Sequence, residues 1–260
     1  MKSSIRVCIS IIFLSAILAG CGGGGGSDNA CSALRIAGGD SCGDGAPNVA
    51  FILTSDIQGN PIGECTGAYV TLTSVLTAAH CFSSNVASAQ IASRGNLRDG
   101  TSYYIHDLYD GNVGSAFDMA VIRVDKPLNG SPLPILLSRM PAVDEDVVAY
   151  GYGYDENGRE AIMRIENGEA PLRATYTTFA GYVSGTAVIT STGAGSTCAG
   201  DSGGPVLGKN EAGEYGIIGI TRAGPLGCDA DKGRPSYLSS TQSKGAIDFL
   251  KQVAPDYATN

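Results

Sequence analysis

Apolar residues in this chain come in short runs. Ala50–Thr54, Ala68–Thr71, Ser74–Thr77, Ala120–Val124, Asp146–Tyr150, Thr186–Ile189, Pro205–Leu207 and Tyr215–Thr221 are each rich in β-branched or aromatic residues and bounded by Gly, Pro, Asn or Asp. Such side chains suit a pleated, half-buried strand, and the bounding residues suit turns. Each run therefore predicts a strand, and many short strands at this spacing predict a barrel or a sandwich. The period changes near the end of the chain. Across Ser243–Val253, Ile247, Leu250 and Val253 fall on one helical face, with Lys244, Asp248 and Lys251 elsewhere. The expectation is an all-β body with a C-terminal helix packed against it.

The first residues follow a different logic. Lys2 and Arg6 form a positive start, and Val7–Leu18 is apolar but too short to span a bilayer comfortably. Leu18-Ala19-Gly20-Cys21 follows, then Gly22–Gly26 and Ser27, a composition that behaves as flexible coil. This segment resembles the lipobox of bacterial lipoproteins. The resemblance implies a signal peptide over residues 1–20, a lipid on Cys21, and a tether and propeptide over residues 21–35 ahead of one domain over residues 36–260. It also implies an exported protein held on the outer membrane by its lipid, facing the periplasm or the cell surface, because Gly22 rather than Asp follows Cys21. The alternative is an ordinary cleaved leader and a secreted protein.

Composition narrows the classes. Apolar residues make up 43% of the 260-residue chain, enough for a large core. Net charge is −8 and no basic patch stands out, which argues against a nucleic-acid partner. Of eight cysteines, Cys8 would leave with the leader and Cys21 would take the lipid, so six remain: Cys31, Cys42, Cys65, Cys81, Cys198 and Cys228. An even set in an exported chain implies disulfides. No Cys-x-x-Cys pair occurs, so no metal site and no cofactor are expected.

The candidate chemistry starts at Ser202. A serine hydroxyl is a poor nucleophile until a base takes its proton, the base needs an orienting carboxylate, and donors must face the oxyanion that forms. Cys198-Ala199-Gly200-Asp201-Ser202-Gly203-Gly204-Pro205 packs three glycines around Ser202, and such a turn can aim the amides of Gly200 and Ser202 at one point. Gly-x-Ser-x-Gly also occurs in the nucleophile elbow of α/β-hydrolases, but there the histidine follows the serine. Both histidines here, His80 and His106, precede it. His80 stands directly after an apolar strand, whereas His106 lies among Tyr103, Tyr104 and Tyr109 and reads as a surface or packing residue. Asp118 heads the strand Asp118-Met119-Ala120-Val121-Ile122; no such strand follows Asp107 or Asp110. A subtilisin-type order, with Asp40, Asp44 or Asp56 as the acid, fits neither the cysteines nor the scarcity of helices.

Taken together, Thr77-Ala78-Ala79-His80-Cys81, Asp118-Met119-Ala120-Val121 and Gly200-Asp201-Ser202-Gly203-Gly204-Pro205 resemble the three signature segments of trypsin/chymotrypsin-type serine proteases, in that family's order. Gly151-Tyr152-Gly153 is similar to the family's Gly-Trp-Gly, with tyrosine for tryptophan. The resemblance runs from Ile36 to about Val253. It implies two six-stranded antiparallel β-barrels with a site between them, His80 as base, Asp118 orienting it, Ser202 as nucleophile, and Gly200 and Ser202 as oxyanion donors. It implies a monomer acting on proteins or peptides. It also implies the pairs Cys65–Cys81 and Cys198–Cys228. Cys42 falls where the family has a cysteine, but the partner region near residues 160–180 holds none, so Cys31 is its expected mate.

Two further segments bear on use of the site. Arg35-Ile36-Ala37-Gly38-Gly39 looks like a zymogen cleavage site, and a free ammonium on Ile36 would pair with Asp201, as in the family. The chain would then need an activating protease. Ser196, six residues before Ser202, and Gly224 fall in the family's primary pocket. Trypsin-like enzymes carry aspartate at the base, so a neutral Ser196 implies apolar or small side chains before the cut bond, unless Asp229 or Asp231 reaches in. Finally, Thr221 or Arg222 falls near the serine that supports the family's triad aspartate. That departure leaves two functions to weigh, an active endopeptidase and a weak or inactive homologue serving as a surface binding module.

Overall fold

The computed structural model describes residues 48–260, apart from residues 83–84, 94–95, 129, 155–172, 184–185, 192–195, 229–230 and 232. The leader, Cys21, the tether, the Arg35–Ile36 bond and the Cys31–Cys42 pair lie outside the described residues, as does Asp229.

Twelve strands form two closed antiparallel barrels. The first takes β1 (Val49–Ser55), β2 (Pro61–Thr71), β3 (Ser74–Thr77), β4 (Ser88–Ser93), β5 (Asn96–Ile105) and β6 (Ala120–Val124), in ring order β1-β2-β3-β6-β5-β4. The second takes β7 (Asp146–Gly151), β8 (Arg173–Val183), β9 (Thr186–Ser191), β10 (Pro205–Lys209), β11 (Tyr215–Ala223) and β12 (Pro235–Ser240), in ring order β10-β11-β12-β9-β8-β7. Pairing of β1 with β4 closes one ring and β10 with β7 the other, so neither sheet leaves an edge for another chain to extend.

Strand alternation explains the apolar runs. Along β1, Ala50 and Ile52 point into the first barrel, where they meet Tyr69, Val75, Ile91 and Ile122. Val49 and Phe51 point the other way, into a core shared with Leu76, Tyr150, Leu207 and the C-terminal helix. In β7, Val147 and Ala149 fill the second barrel while Val148 and Tyr150 join that shared core. A strand buried on both faces reads as a continuous apolar run rather than an alternating one.

The helix α1 (Lys244–Val253) starts at Ser243, whose Oγ accepts from the Ala246 amide at 3.2 Å. At the other end Arg123 donates to the Val253 carbonyl at 2.6 Å, placing a cation at the negative end of the helix dipole. The buried stripe is Ala246, Phe249, Leu250 and Val253. Ile247 is only partly buried, so the face is rotated by one position from the one expected.

Tyr69 lies wholly inside the first barrel, and its hydroxyl has no hydrogen-bond partner among the described residues. Burial pushes its pKa from 10.0 to about 12, with Arg98 lowering it and Asp125 raising it in smaller measure. In the unfolded chain the phenol ionises first, so the folded state loses protection as pH rises from 10 towards 12. Urea unfolding should show a loss of about 2–3 kcal/mol across that window, and Tyr69→Phe should flatten it.

Candidate active site

His80 and Asp118 are brought together by strand register. β3 ends at Thr77, which pairs with Ala120 of β6. Beyond Thr77 the chain makes a 3-10 turn, Ala79–Cys81, that carries His80, and Cys81 is bonded to Cys65 of β2. Asp118 stands two residues before Ala120 and is fully buried. Its Oδ2 lies 2.6 Å from His80 Nδ1, and its Oδ1 accepts the His80 amide at 2.8 Å. Both carboxylate oxygens are therefore engaged by one residue, which fixes the ring and its plane. With the proton on Nδ1, the Nε2 lone pair faces outward as a base would require. The imidazole keeps 20% of its side-chain surface. The carboxylate's charge is felt nearby: burial raises the Tyr109 pKa first, then Asp118 and Asp110 raise it further.

Ser202 sits in a turn that the structure holds from several sides. Gly200 and Gly203 have φ of 88° and 83°, in the left-handed region that favours glycine. A Cβ on Gly203 would lie 2.3 Å from the Thr66 carbonyl oxygen and 2.7 Å from the Ala78 nitrogen, so the serine turn is pressed against the arm leading to His80. Within the turn, the Asp201 amide donates to Cys198 O and the Gly203 amide to Thr221 O. Thr66 joins the barrels: its amide donates to Ser202 O at 2.8 Å, its Oγ1 donates to Gly200 O at 2.8 Å, and the same Oγ1 accepts the Tyr152 amide at 3.0 Å. No pattern in the sequence marked Thr66, because its role depends on contacts more than 80 residues away.

Asp201 is fully buried, and its carboxylate accepts the amides of Gly153 at 2.8 Å and Cys198 at 2.7 Å. The glycines of Gly151-Tyr152-Gly153 are explained by it. A Cβ on Gly151 would lie 1.9 Å from Asp201 Oδ1, and one on Gly153 2.6 Å from its Cγ. Tyr152 packs edge-on to Phe51 of β1 and donates its hydroxyl to Val49 O at 3.2 Å.

Ser196 and Gly224, the residues expected to line a substrate pocket, stand on neighbouring segments. Ser196 is buried, with no partner for its Oγ among the described residues, and Thr221 Oγ1 is equally unpaired. Thr197 Oγ1 donates to Ser236 Oγ at 2.8 Å. Gly224 lies against this segment, since a Cβ there would come 2.4 Å from Thr197 O. Cys198 is bonded to Cys228, which ties the serine turn to the 3-10 turn Leu226–Cys228. Asp231 is exposed. Between Thr221 and Arg222, it is Arg222 that reaches the Asp118 turn, donating to the Ser115 carbonyl at 3.3 Å. Burial draws its pKa below the ordinary value, and Asp118, then Tyr237, push it back up.

The rival residues are elsewhere. His106 is buried between Phe117 and Phe249, its Nδ1 accepting the Leu108 amide at 3.1 Å. Asp107 and Asp110 are exposed, and Asp56 accepts amides of its own turn. Cys65, His80 and Cys81 cluster closely enough to suggest a metal, but both sulfurs are in the disulfide and His80 Nδ1 faces Asp118.

Comparison with known proteins bears on the family and the fold. The family model described as Trypsin matches residues 36–246. Bovine coagulation factor XI is 29% identical over 245 residues, covering 82% of this chain, though the chain spans only 37% of factor XI. Trypsin of Saccharopolyspora erythraea is 25% identical over 67% of this chain and 81% of its own length. Trypsin iota of Drosophila melanogaster is 24% identical over 62% of this chain and 68% of its own. Among solved structures, HL collagenase superposes with a TM-score of 0.61 at 18% identity, covering 80% of this chain and 94% of its own, which is a likeness of fold.

Proposed function

We propose that this chain, which belongs to the trypsin family of serine proteases, is a working serine endopeptidase that cuts protein or peptide substrates through His80, Asp118 and Ser202. The observation that carries the reading is the Asp118 carboxylate, fully buried and bound by both the ring and the amide of His80, with the serine turn pressed against the residues just before that turn. Such a carboxylate holds the imidazole in the base tautomer and stabilises it once protonated. Nε2 would take the Ser202 proton as Oγ attacks the carbonyl carbon, then return it to the leaving amine, and water would release the acyl group by the same route. The amides of Gly200 and Ser202 would receive the oxyanion, each such donor being worth about 3 kcal/mol at the transition state.

The same reading includes maturation and placement. Cleavage after Arg35 by another protease would free the Ile36 ammonium to pair with Asp201, whose carboxylate sits in a glycine-lined niche beside the serine turn. A Cys31–Cys42 bridge would keep the cut domain joined to a lipid on Cys21, and the two disulfides among the described residues suit an oxidising, exported compartment. No helix among the described residues is long and apolar enough to cross a membrane. A neutral, buried Ser196, next in sequence to the Thr197 that Gly224 packs against, favours apolar or small side chains before the scissile bond, and the domain would act as a monomer.

One experiment tests the assembly. The exported chain is treated with a protease specific for arginine, then with a fluorophosphonate probe and a peptide library varied before the cut site. The expected result is an adduct mapped to Ser202 by mass spectrometry, dependent on cleavage after Arg35, with preference for apolar or small residues. No adduct in the cleaved protein would favour the binding module instead. An adduct without cleavage would remove the zymogen step, and a preference for arginine or lysine would remove the Ser196 argument.

A further inference from the structure

Arg222 on β11 is only 8% exposed. A buried guanidinium is unfavourable unless its donors are matched. Here the two terminal nitrogens are matched: Nη1 donates to the carbonyls of Val113 at 2.8 Å and Ser115 at 3.3 Å, Nη2 donates to Thr186 Oγ1 at 3.1 Å, and the group lies 5.7 Å from the centre of the Tyr237 ring, while the buried Nε has no partner among the described residues. Val113 and Ser115 belong to the connection between β5 and β6 in the first barrel. Thr186 opens β9 and Tyr237 lies on β12, both in the second. The side chain thus ties one barrel to the other.

What it ties is the turn that presents Asp118. The Ser115 carbonyl that accepts from Arg222 also accepts the Asp118 amide at 3.2 Å. The turn's outer part, Val113 and Gly114, is exposed. A planar fork with several donors can hold two carbonyls and a hydroxyl at once, which the single ammonium of lysine does less well. We propose that Arg222 is a positioning residue that fixes the 113–118 turn from the opposite barrel and so holds the Asp118 carboxylate in register with His80. The proposal rests on the triad reading for its consequence in catalysis, but its geometric half can be tested without turnover.

The geometric half is read by proton NMR. A short hydrogen bond between His80 Nδ1 and Asp118 should give a strongly deshielded imidazole proton, observable in the full chain carrying Ser202→Ala, where no catalysis occurs. In that background Arg222→Met should abolish or broaden the resonance and Arg222→Lys should weaken it. Steady-state kinetics on the most active form of the chain with Ser202 intact should show kcat at least tenfold lower for Arg222→Met, KM within twofold, and partial recovery with lysine. If Arg222→Met does not fold, Thr186→Val removes one anchor while leaving the arginine, and should lower kcat severalfold and broaden the same signal. An unchanged deshielded proton in the folded variants overturns the proposal whether or not the parent is active. So does a kcat within twofold of an active parent in both Arg222 variants. A parent that turns over no peptide and takes no probe would instead count against the triad reading.

Discussion

Ser202→Ala is expected to lower kcat for peptide hydrolysis by about a million-fold, with KM nearly unchanged. In the proposed mechanism the hydroxyl carries the only atom of that side chain that bonds to the substrate, and alanine leaves the turn in place. The glycines at 200 and 203, the Thr66 bond to the Ser202 carbonyl and the Cys198–Cys228 bridge all involve backbone or other side chains. The fold should therefore survive, and thermal unfolding of the variant checks that. Triad members act as one unit, so His80→Ala added to Ser202→Ala should cost almost nothing more. Stopped assays with an internally quenched peptide measure both. A single variant retaining more than about a thousandth of parental kcat would show that another group does the chemistry.

Asp118→Asn is expected to cost about ten-thousandfold in kcat at neutral pH. The asparagine oxygen can still accept the His80 amide, as Oδ1 does now at 2.8 Å. The amide nitrogen would then take the place of Oδ2, 2.6 Å from Nδ1, and present hydrogens there. The ring must answer with a lone pair on Nδ1, which moves its proton to Nε2 and removes the base. Asp118 has no exposed surface, so water is poorly placed to repair the mismatch. Equal KM with collapsed kcat identifies a fault in proton transfer; a comparable loss in KM would point to a collapsed site.

Much of the fold was legible because both faces of several strands are buried. β3 and β6 match the expected ranges to the residue, and β1, β7 and β10 extend them by only one or two positions. β4, β5 and β12 were not marked by hydrophobic pattern. β5 is exposed along most of its length, and β4 and β12 carry serines and a glutamine where a core strand would carry apolar residues. Such strands are specified by the neighbours they pair with, which one-dimensional patterning does not carry. The helix was found but rotated by one position, because Phe249 and Ala246 prefer the shared core to the face that Ile247 would define. The proposed His80, Asp118 and Ser202 were marked by local motifs, and the structure brings His80 and Asp118 into contact. Thr66 was not marked, and Arg222 was marked only, with Thr221, as falling near the serine that supports the family's triad aspartate, since each acts through partners remote in sequence.

In the proposed mechanism each barrel supplies an incomplete set of reacting groups, and part of the joint between the sets is a single residue. One threonine, through an amide and a hydroxyl, meets three backbone groups of the other half. Its side chain is too short to follow them if they move, and hydrogen bonds fade within about half an ångström of their optimum. Slippage between the halves would therefore disengage all three contacts as one event, so the hydroxyl at 202 is held in place only while the two halves stay mutually aligned.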